Sequence, residues 1–178
     1  MNFSRIKKDL KYIYVNYFVM KIPSWTIRKR LLIFLGMKIG NSSRIGIGSI
    51  IISPDRIVIG ERTVINEKCH LDGRGGLIIG NDVSISNYSI IITASHKKGS
   101  SKFEYYENNV VIENNVWLGT RAMVLDGSYL RKGTVIAAGL VFKGETEAYK
   151  VYYPSYSVQC KDRNLDRDYI LNYTAYFR

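Results

Sequence analysis

The chain has 178 residues, enough for one domain with a hydrophobic core, and its 46% hydrophobic content is that of a globular protein. Lys and Arg number 26 against 15 Asp and Glu, a formal charge of +11. The excess sits at residues 5–11, 28–30 and 161–167 while the middle is nearly balanced, which argues against one continuous nucleic-acid groove and leaves anionic lipid or a phosphorylated small molecule as partners for the charge. No apolar run approaches the roughly 20 residues needed to span a bilayer, and the first residues lack the pattern of a cleaved signal, so the expected location is the cytoplasm. Cys69 and Cys160 match no metal or redox spacing and read as inert thiols.

Residues 1–36 read as a helical cap. Ile6, Leu10, Ile13, Tyr14, Tyr17 and Phe18 recur at helical spacing, Ser4 suits the N-cap, and Pro23 marks a break. A second helix starts near Ser24, carries Ile27, Leu31, Leu32 and Leu35, and stops at Gly36, a residue suited to the C′ position. Both would cover the open end of a solenoid beginning at residue 37. A basic, Tyr-rich amphipathic helix also suits the anionic inner face of a membrane, so peripheral membrane contact is a second expectation.

Residues 37–148 carry a six-residue period. Aliphatic residues recur at Ile39, Ile45, Ile51 and Ile57, then, after a two-residue slip, at Ile59, Ile65 and Leu71. The glycine-rich stretch from Gly73 to Gly76 resets the count to Ile79, Ile85 and Ile91. After a loop over 95–110 it resumes at Ile112, Leu118, Val124, Leu130, Ile136 and Phe142. Such a period fits a triangular coil in which each hexapeptide makes one short strand and one corner, and every strand pairs in parallel with the coils above and below. Gly40, Asn41, Gly60, Gly80, Asn81 and Asn115 suit the corners. An antiparallel sandwich would instead alternate with period two. Residues 149–178 read as a C-terminal tail.

Three motifs, within a similarity that covers 36–154, carry a family resemblance. The run Ile79-Gly80-Asn81-Asp82-Val83-Ser84-Ile85-Ser86-Asn87-Tyr88 looks like a last coil before a catalytic loop. Thr93-Ala94-Ser95-His96 looks like a catalytic histidine signature, and Ile112-Glu113-Asn114-Asn115-Val116-Trp117-Leu118-Gly119 is similar to the return to the coil. Together they resemble the hexapeptide-repeat O-acetyltransferases, in particular the galactoside and maltose acetyltransferase group with its polysaccharide-modifying relatives. The resemblance implies a left-handed parallel β-helix, acetyl-CoA as co-substrate without a metal, and a homotrimer with sites between subunits. Its implied reaction is direct acetyl transfer to a hydroxyl of a sugar or saccharide.

The resemblance implies His96 as general base, a role that suits a side chain whose pKa lies near neutrality. Its position at the break in the repeat supports this, because catalytic groups concentrate on loops held by rigid scaffolds. Asn87, with Ser86 and Tyr88 beside it, and Glu104 from the loop would contact the acceptor; Glu104 and Glu107 also lie within reach of His96, as do backbone carbonyls. Trp117 should face outward near the pantetheine arm, with Gly119, Ala137 and Ala138 giving the arm room, and Lys143, Lys161 and Arg163 are expected at the cofactor phosphates. The chain departs from the family where Ala137-Ala138-Gly139 replaces Gly-Ala-Gly and where Tyr152-Tyr153-Pro154-Ser155 replaces Gly-x-Pro-Ala, which puts a ring in position to stack on the adenine. His70 reads as structural, and two histidines fall short of the three that a zinc carbonic anhydrase of this architecture needs. An N-acetyltransferase acting on an amino sugar is the neighbouring alternative, and a non-catalytic carbohydrate-binding or scaffolding solenoid is the alternative of another class.

Overall fold

The computed structural model describes residues 3–154. From Lys38 onward the chain winds into a parallel β-solenoid of about six turns, with three flat faces and three corners per turn. The first face stacks Lys38–Ile39, Ile57–Ile59, Leu77–Ile79, Val110–Ile112 and Tyr129–Leu130. The second stacks Arg44–Ile45, Val64–Ile65, Ser84–Ile85, Trp117–Leu118, Val135–Ile136 and Val151–Tyr152. The third stacks Ile50–Ile52, His70–Asp72, Ile90–Ile91, Met123–Val124 and Val141–Phe142. Register places like on like: Ile45, Ile65, Ile85, Leu118, Ile136 and Tyr152 form one inward column. The columns of the three faces meet in one buried core, so the six-residue aliphatic positions are the inward ones.

Three departures from the period share one place. The two-residue slip expected after Ile57 lies just ahead of it, in the 3-10 turn Pro54–Arg56, so that Ile57 and Ile59 share one strand; the reset at Gly73 is a tight turn, and the loop is an antiparallel hairpin of Ala94–His96 and Tyr105–Glu107. All fall at the third corner, between the third face and the first face of the next coil. The second corner, between the second and third faces, carries no insertion in any of the coils from Ile45 to Val141.

The N-terminal segment comprises α1 (Phe3–Ile13), a π-helical turn Tyr14–Phe18, a 3-10 turn Val19–Lys21 and α2 (Trp25–Phe34). It closes the open end of the solenoid by taking the place of a missing coil. The Asn16 amide bonds both backbone groups of Ile51, donating to its carbonyl at 2.9 Å and accepting from its N–H at 2.8 Å. The buried Arg28 guanidinium donates to the carbonyls of Ile22, Pro23 and Ile45, and Lys29 donates to those of Gly40 and Asn41. These groups satisfy a strand edge that would otherwise be exposed. The helix starts at Phe3, ahead of Ser4, so Ser4 is not its cap. Gly36 does follow α2 with φ +100°.

The buried face of the first helical segment is Val15, Val19 and Met20, whereas Leu10, Tyr14, Tyr17 and Phe18 are exposed. A π-helical turn holds one residue more than an α-helical turn, and this one presents Asn16 to the strand edge while turning the aromatic stripe outward. Among the described residues no helix is long and apolar enough to cross a membrane. At the other end the solenoid runs past residue 148, because Val151–Tyr152 pairs with Val135–Ile136. Tyr152 turns inward, its ring edge-on to Phe142 at 5.3 Å and its hydroxyl accepting from the Glu147 N–H at 2.8 Å. The ring therefore closes the core and does not lie on an outer surface where it could stack on adenine.

Candidate active site

The third corner is built to hold the hairpin. Gly75 lies where an added Cβ would meet the Thr93 carbonyl oxygen at 2.4 Å and the Asn108 carbonyl oxygen at 2.5 Å, the two feet of the hairpin. Glycine is required there by close approach. Asp72, fully buried, accepts from the Thr93 N–H at 3.0 Å, from the Arg74 N–H at 3.0 Å and from the Arg74 guanidinium at 2.9 Å. Burial alone would raise its carboxyl, but Arg74 and these N–H groups bring it below the ordinary carboxylate range. The far foot is tied by Arg56 donating to Glu107 at 3.0 Å.

His96 sits half-buried on this hairpin with its Nδ1 2.8 Å from the Phe103 carbonyl oxygen. A carbonyl only accepts, so Nδ1 carries the proton and a neutral ring leaves the Nε2 lone pair open. Phe103 holds the imidazole in a second way: the rings stack at 3.8 Å with 16° between planes, and Tyr105 closes one edge at 5.6 Å. Phe103 reaches this geometry with φ +50°, a conformation costly for an aromatic residue. The loop glutamates are engaged elsewhere. Glu104 pairs with Lys97 at 2.7 Å, and Glu107 pairs with Arg56 and accepts from the Tyr105 hydroxyl at 2.8 Å. The partner of His96 is thus a backbone carbonyl, fixed by hairpin register that no sequence pattern announced.

Most of the other expected residues lie on the second corner. Coil by coil it reads Gly46-Ile47-Gly48, Asn66-Glu67-Lys68, Ser86-Asn87-Tyr88, Gly119-Thr120-Arg121 and Ala137-Ala138-Gly139. Trp117 faces outward just before it, 51% exposed, and its indole N–H donates to the Ser86 hydroxyl at 3.2 Å. The amide of Asn87 makes no hydrogen bond to the described residues, whereas those of Asn66, Asn81 and Asn114 each bond the backbone of a neighbouring coil. Tyr88 is flanked by two cations, the Lys68 ammonium 5.4 Å and the Arg121 guanidinium 5.7 Å from its ring centre. Lys68 and Arg121 escaped the sequence reading, although each stands third after an inward residue, as Tyr88 does, and stacking the coils would have aligned them.

Small residues on this corner have two different causes. Gly119 is buried, and an added Cβ would meet the Ala138 nitrogen at 2.5 Å, so its smallness serves coil stacking. Ala138 is exposed and a Cβ at Gly139 would meet nothing within 4 Å, so the outer surface is open there. Lys143 belongs to the third corner, where both Asp126 oxygens hold its ammonium at 2.9 Å, and in one chain it stands on a different corner from the one that follows Trp117. Lys161, Arg163 and Cys160 lie outside the described residues. Cys69 is buried, which pushes its thiol up to about 11 and leaves it unreactive near neutrality. Burial also lowers the pKa of His70, which favours the uncharged ring. Among the described residues no cluster of His, Cys, Asp or Glu could hold a metal ion.

The sequence matches no family model and no curated protein. Solved structures do match. A galactoside acetyltransferase in complex with coenzyme A has a TM-score of 0.76 at 19% identity, over 85% of this chain and 78% of its own. A maltose O-acetyltransferase from Clostridium difficile 630 has a TM-score of 0.75 at 20% identity, over 84% of this chain and 83% of its own. A hexapeptide-repeat acetyltransferase from Vibrio cholerae O1 biovar eltor, complexed with acetyl coenzyme A, has a TM-score of 0.65 at 24% identity, over 79% of this chain and 77% of its own. At such identities the likeness establishes the fold, which is the left-handed parallel β-helix of the hexapeptide-repeat acetyltransferases.

Proposed function

We propose that the chain is an acetyl-CoA-dependent O-acetyltransferase acting on a saccharide hydroxyl, with His96 Nε2 as the general base. The observation that carries this reading is the Phe103 carbonyl at His96 Nδ1, which sets the tautomer that a base at Nε2 requires. Structures of the same fold hold coenzyme A or acetyl coenzyme A, and their names include galactoside and maltose acetyltransferases. Acetyl-CoA, when bound, supplies the thioester. His96 takes the acceptor hydroxyl proton as the oxygen bonds to the acetyl carbon, and returns it to the departing thiolate sulfur. The Asn87 amide, Ser86 and Tyr88 orient the acceptor; the exposed Trp117 ring and the open surface at Ala138 and Gly139 suit a slim pantetheine arm.

His96 and Asn87 lie on different corners of one chain, with the third face between them. The reading therefore includes a homotrimer, in which the hairpin of one protomer meets the second corner of its partner. The exposed Tyr14, Tyr17, Phe18 and Phe34 beside Lys7, Lys8 and Lys21 support a peripheral location on an anionic membrane surface.

The direct test is acetyl-CoA turnover across free, nucleotide-linked and lipid-linked sugars, with wild type and His96→Ala. Wild type should yield an alkali-labile acetyl ester, and the variant should lose about a hundred- to ten-thousandfold in kcat while keeping its Tm. An alkali-stable amide product, or a His96→Ala enzyme as fast as wild type, would overturn the reading.

A further inference from the structure

We propose that Lys68, Tyr88 and Arg121 form a subsite for an anionic group, a phosphate or a carboxylate, carried by the acceptor. This rests on the acetyltransferase reading and narrows its substrate from saccharides to acidic or phosphorylated ones.

Cations on the other two corners are neutralised by acids close by. On the first corner Arg62 and Asp82, one coil apart in the same corner position, form a bidentate pair at 2.6 and 2.7 Å. On the third corner Arg74 is held by Asp72 and Lys143 by Asp126. The second corner repeats the same stacking without an acid in the column. Backbone bonds from the Tyr88 N–H to the Glu67 carbonyl at 3.2 Å and from the Arg121 N–H to the Asn87 carbonyl at 3.1 Å set Lys68, Tyr88 and Arg121 one above another. Among the described residues neither cation has a carboxylate partner. The Lys68 ammonium donates to the Tyr88 hydroxyl at 3.2 Å, and the Arg121 guanidinium lies over the ring. Glu67, the acid nearest in sequence, makes no ion pair with Lys68; its charge bears on Arg28 of the cap.

An ammonium, a guanidinium fork and a phenol turned to one outer edge present donors that match phosphate or carboxylate oxygens. The acceptor is the source the position favours. Asn87 immediately precedes Tyr88, and Lys68 lies one coil further toward the N-terminus, whereas Arg121 shares the coil of Trp117 and borders that of Ala138 and Gly139. Coenzyme A also carries phosphates, so the experiment separates the two sources.

The variant is Lys68→Met with Arg121→Met, which keeps the stems and removes both charges. Binding is read first, by calorimetric titration of inorganic pyrophosphate into the full-length protein. Wild type should bind it, the double variant at least tenfold more weakly, and saturating coenzyme A should leave the wild-type affinity unchanged. Kinetics are read second, with the best acceptor from the sugar screen. That acceptor should carry phosphate or carboxylate, and the double variant should raise its KM at least tenfold while the KM for acetyl-CoA stays put. Competition by coenzyme A, or a rise in the acetyl-CoA KM alone, would assign the cations to the cofactor and overturn the proposal. Equal pyrophosphate binding by both proteins, or dissociation of the variant's assembly in sedimentation, would overturn it too. If no sugar is acetylated, the function has failed, and the pyrophosphate titration still decides the subsite.

Discussion

The second and third corners of the solenoid are made from the same repeat and have come to opposite ends. The third corner takes every insertion, and its charges are spent internally: Asp72 on Arg74, Asp126 on Lys143, Glu107 on Arg56. It holds one hairpin and orients one imidazole. The second corner takes no insertion, and its groups remain unspent: the Asn87 amide, the Trp117 face, and the Lys68 and Arg121 charges. Irregularity builds the rigid support for a base, whereas regularity leaves a straight open edge along which ligands can lie. On the proposed function neither edge is a site alone, which is the physical reason to expect one protomer to complete its partner.

Mixing protomers tests that expectation most sharply. His96→Ala and Asn87→Ala should each reduce kcat/KM, the first by about a hundredfold or more and the second by about ten- to a hundredfold. Co-expressed in equal amounts, they should recover about a quarter of wild-type activity, since in a cyclic trimer about one interface in four then joins an intact base to an intact amide. Recovery no greater than the mean of the parents would place both residues in one protomer's site and remove the contrast between the two corners.

The next largest effect separates close approach from mere smallness. Gly75→Ala places a methyl inside both hairpin feet, so the feet must move and His96 with them. We expect a kcat at least tenfold lower together with a reduced Tm. Gly139→Ala meets open space and costs only the left-handed φ of +73°, about 1 kcal/mol, with kcat retained. Equal losses of kcat from the two substitutions would show that the glycine-rich turn does not position the base.

Legibility in the sequence divides along the same line. The solenoid was legible because each inward aliphatic residue is repeated in register by the next coil, so one error in phase could not have survived to Phe142. His96 was legible as the residue at which that count stops. Phe103 was not, because its carbonyl acts through hairpin pairing, and backbone groups carry no signature of their own. The pairing of Lys143 was hidden for a related reason. Its charge is visible in the sequence, but its neutralisation by Asp126 depends on adjacent coils lying one above the other. The outward turn of Tyr14, Tyr17 and Phe18 was hidden by the π-helical turn, which breaks the 3.6-residue spacing from which a face is read.

A smaller effect concerns the acids of the third corner. Asp72 and Asp126 are both held below the ordinary carboxylate range: burial opposes this, and Arg74 with backbone N–H groups at Asp72, and Lys143 with Asn108 at Asp126, outweigh it. A depressed folded value means that their stabilisation is complete above the unfolded pKa of about 3.9 and is lost as pH falls through the lower folded value. Thermal unfolding should therefore be insensitive to these groups between about pH 5 and 7, and should weaken below about pH 4. Asp72→Asn should cost about 2 kcal/mol at neutral pH and flatten the acid limb. An acid limb unchanged by the substitution would mean that the third corner owes its stiffness to the glycine turn alone.

The smallest expected effect is the most useful control. Arg62 and Asp82 form a bidentate pair, yet the Arg62 side chain is 60% exposed and the pair stands on the first corner, away from both edges of the site. Water and salt screen such a pair. Arg62→Gln should leave Tm, acceptor KM and kcat at wild-type values, although it removes the same unit of charge as Arg121→Met. If Arg62→Gln instead weakened acceptor binding as much as Arg121→Met, the second corner would have no local claim on an anion. The effect would then belong to the net charge of the whole chain, which steers any anion toward it regardless of where the cation sits.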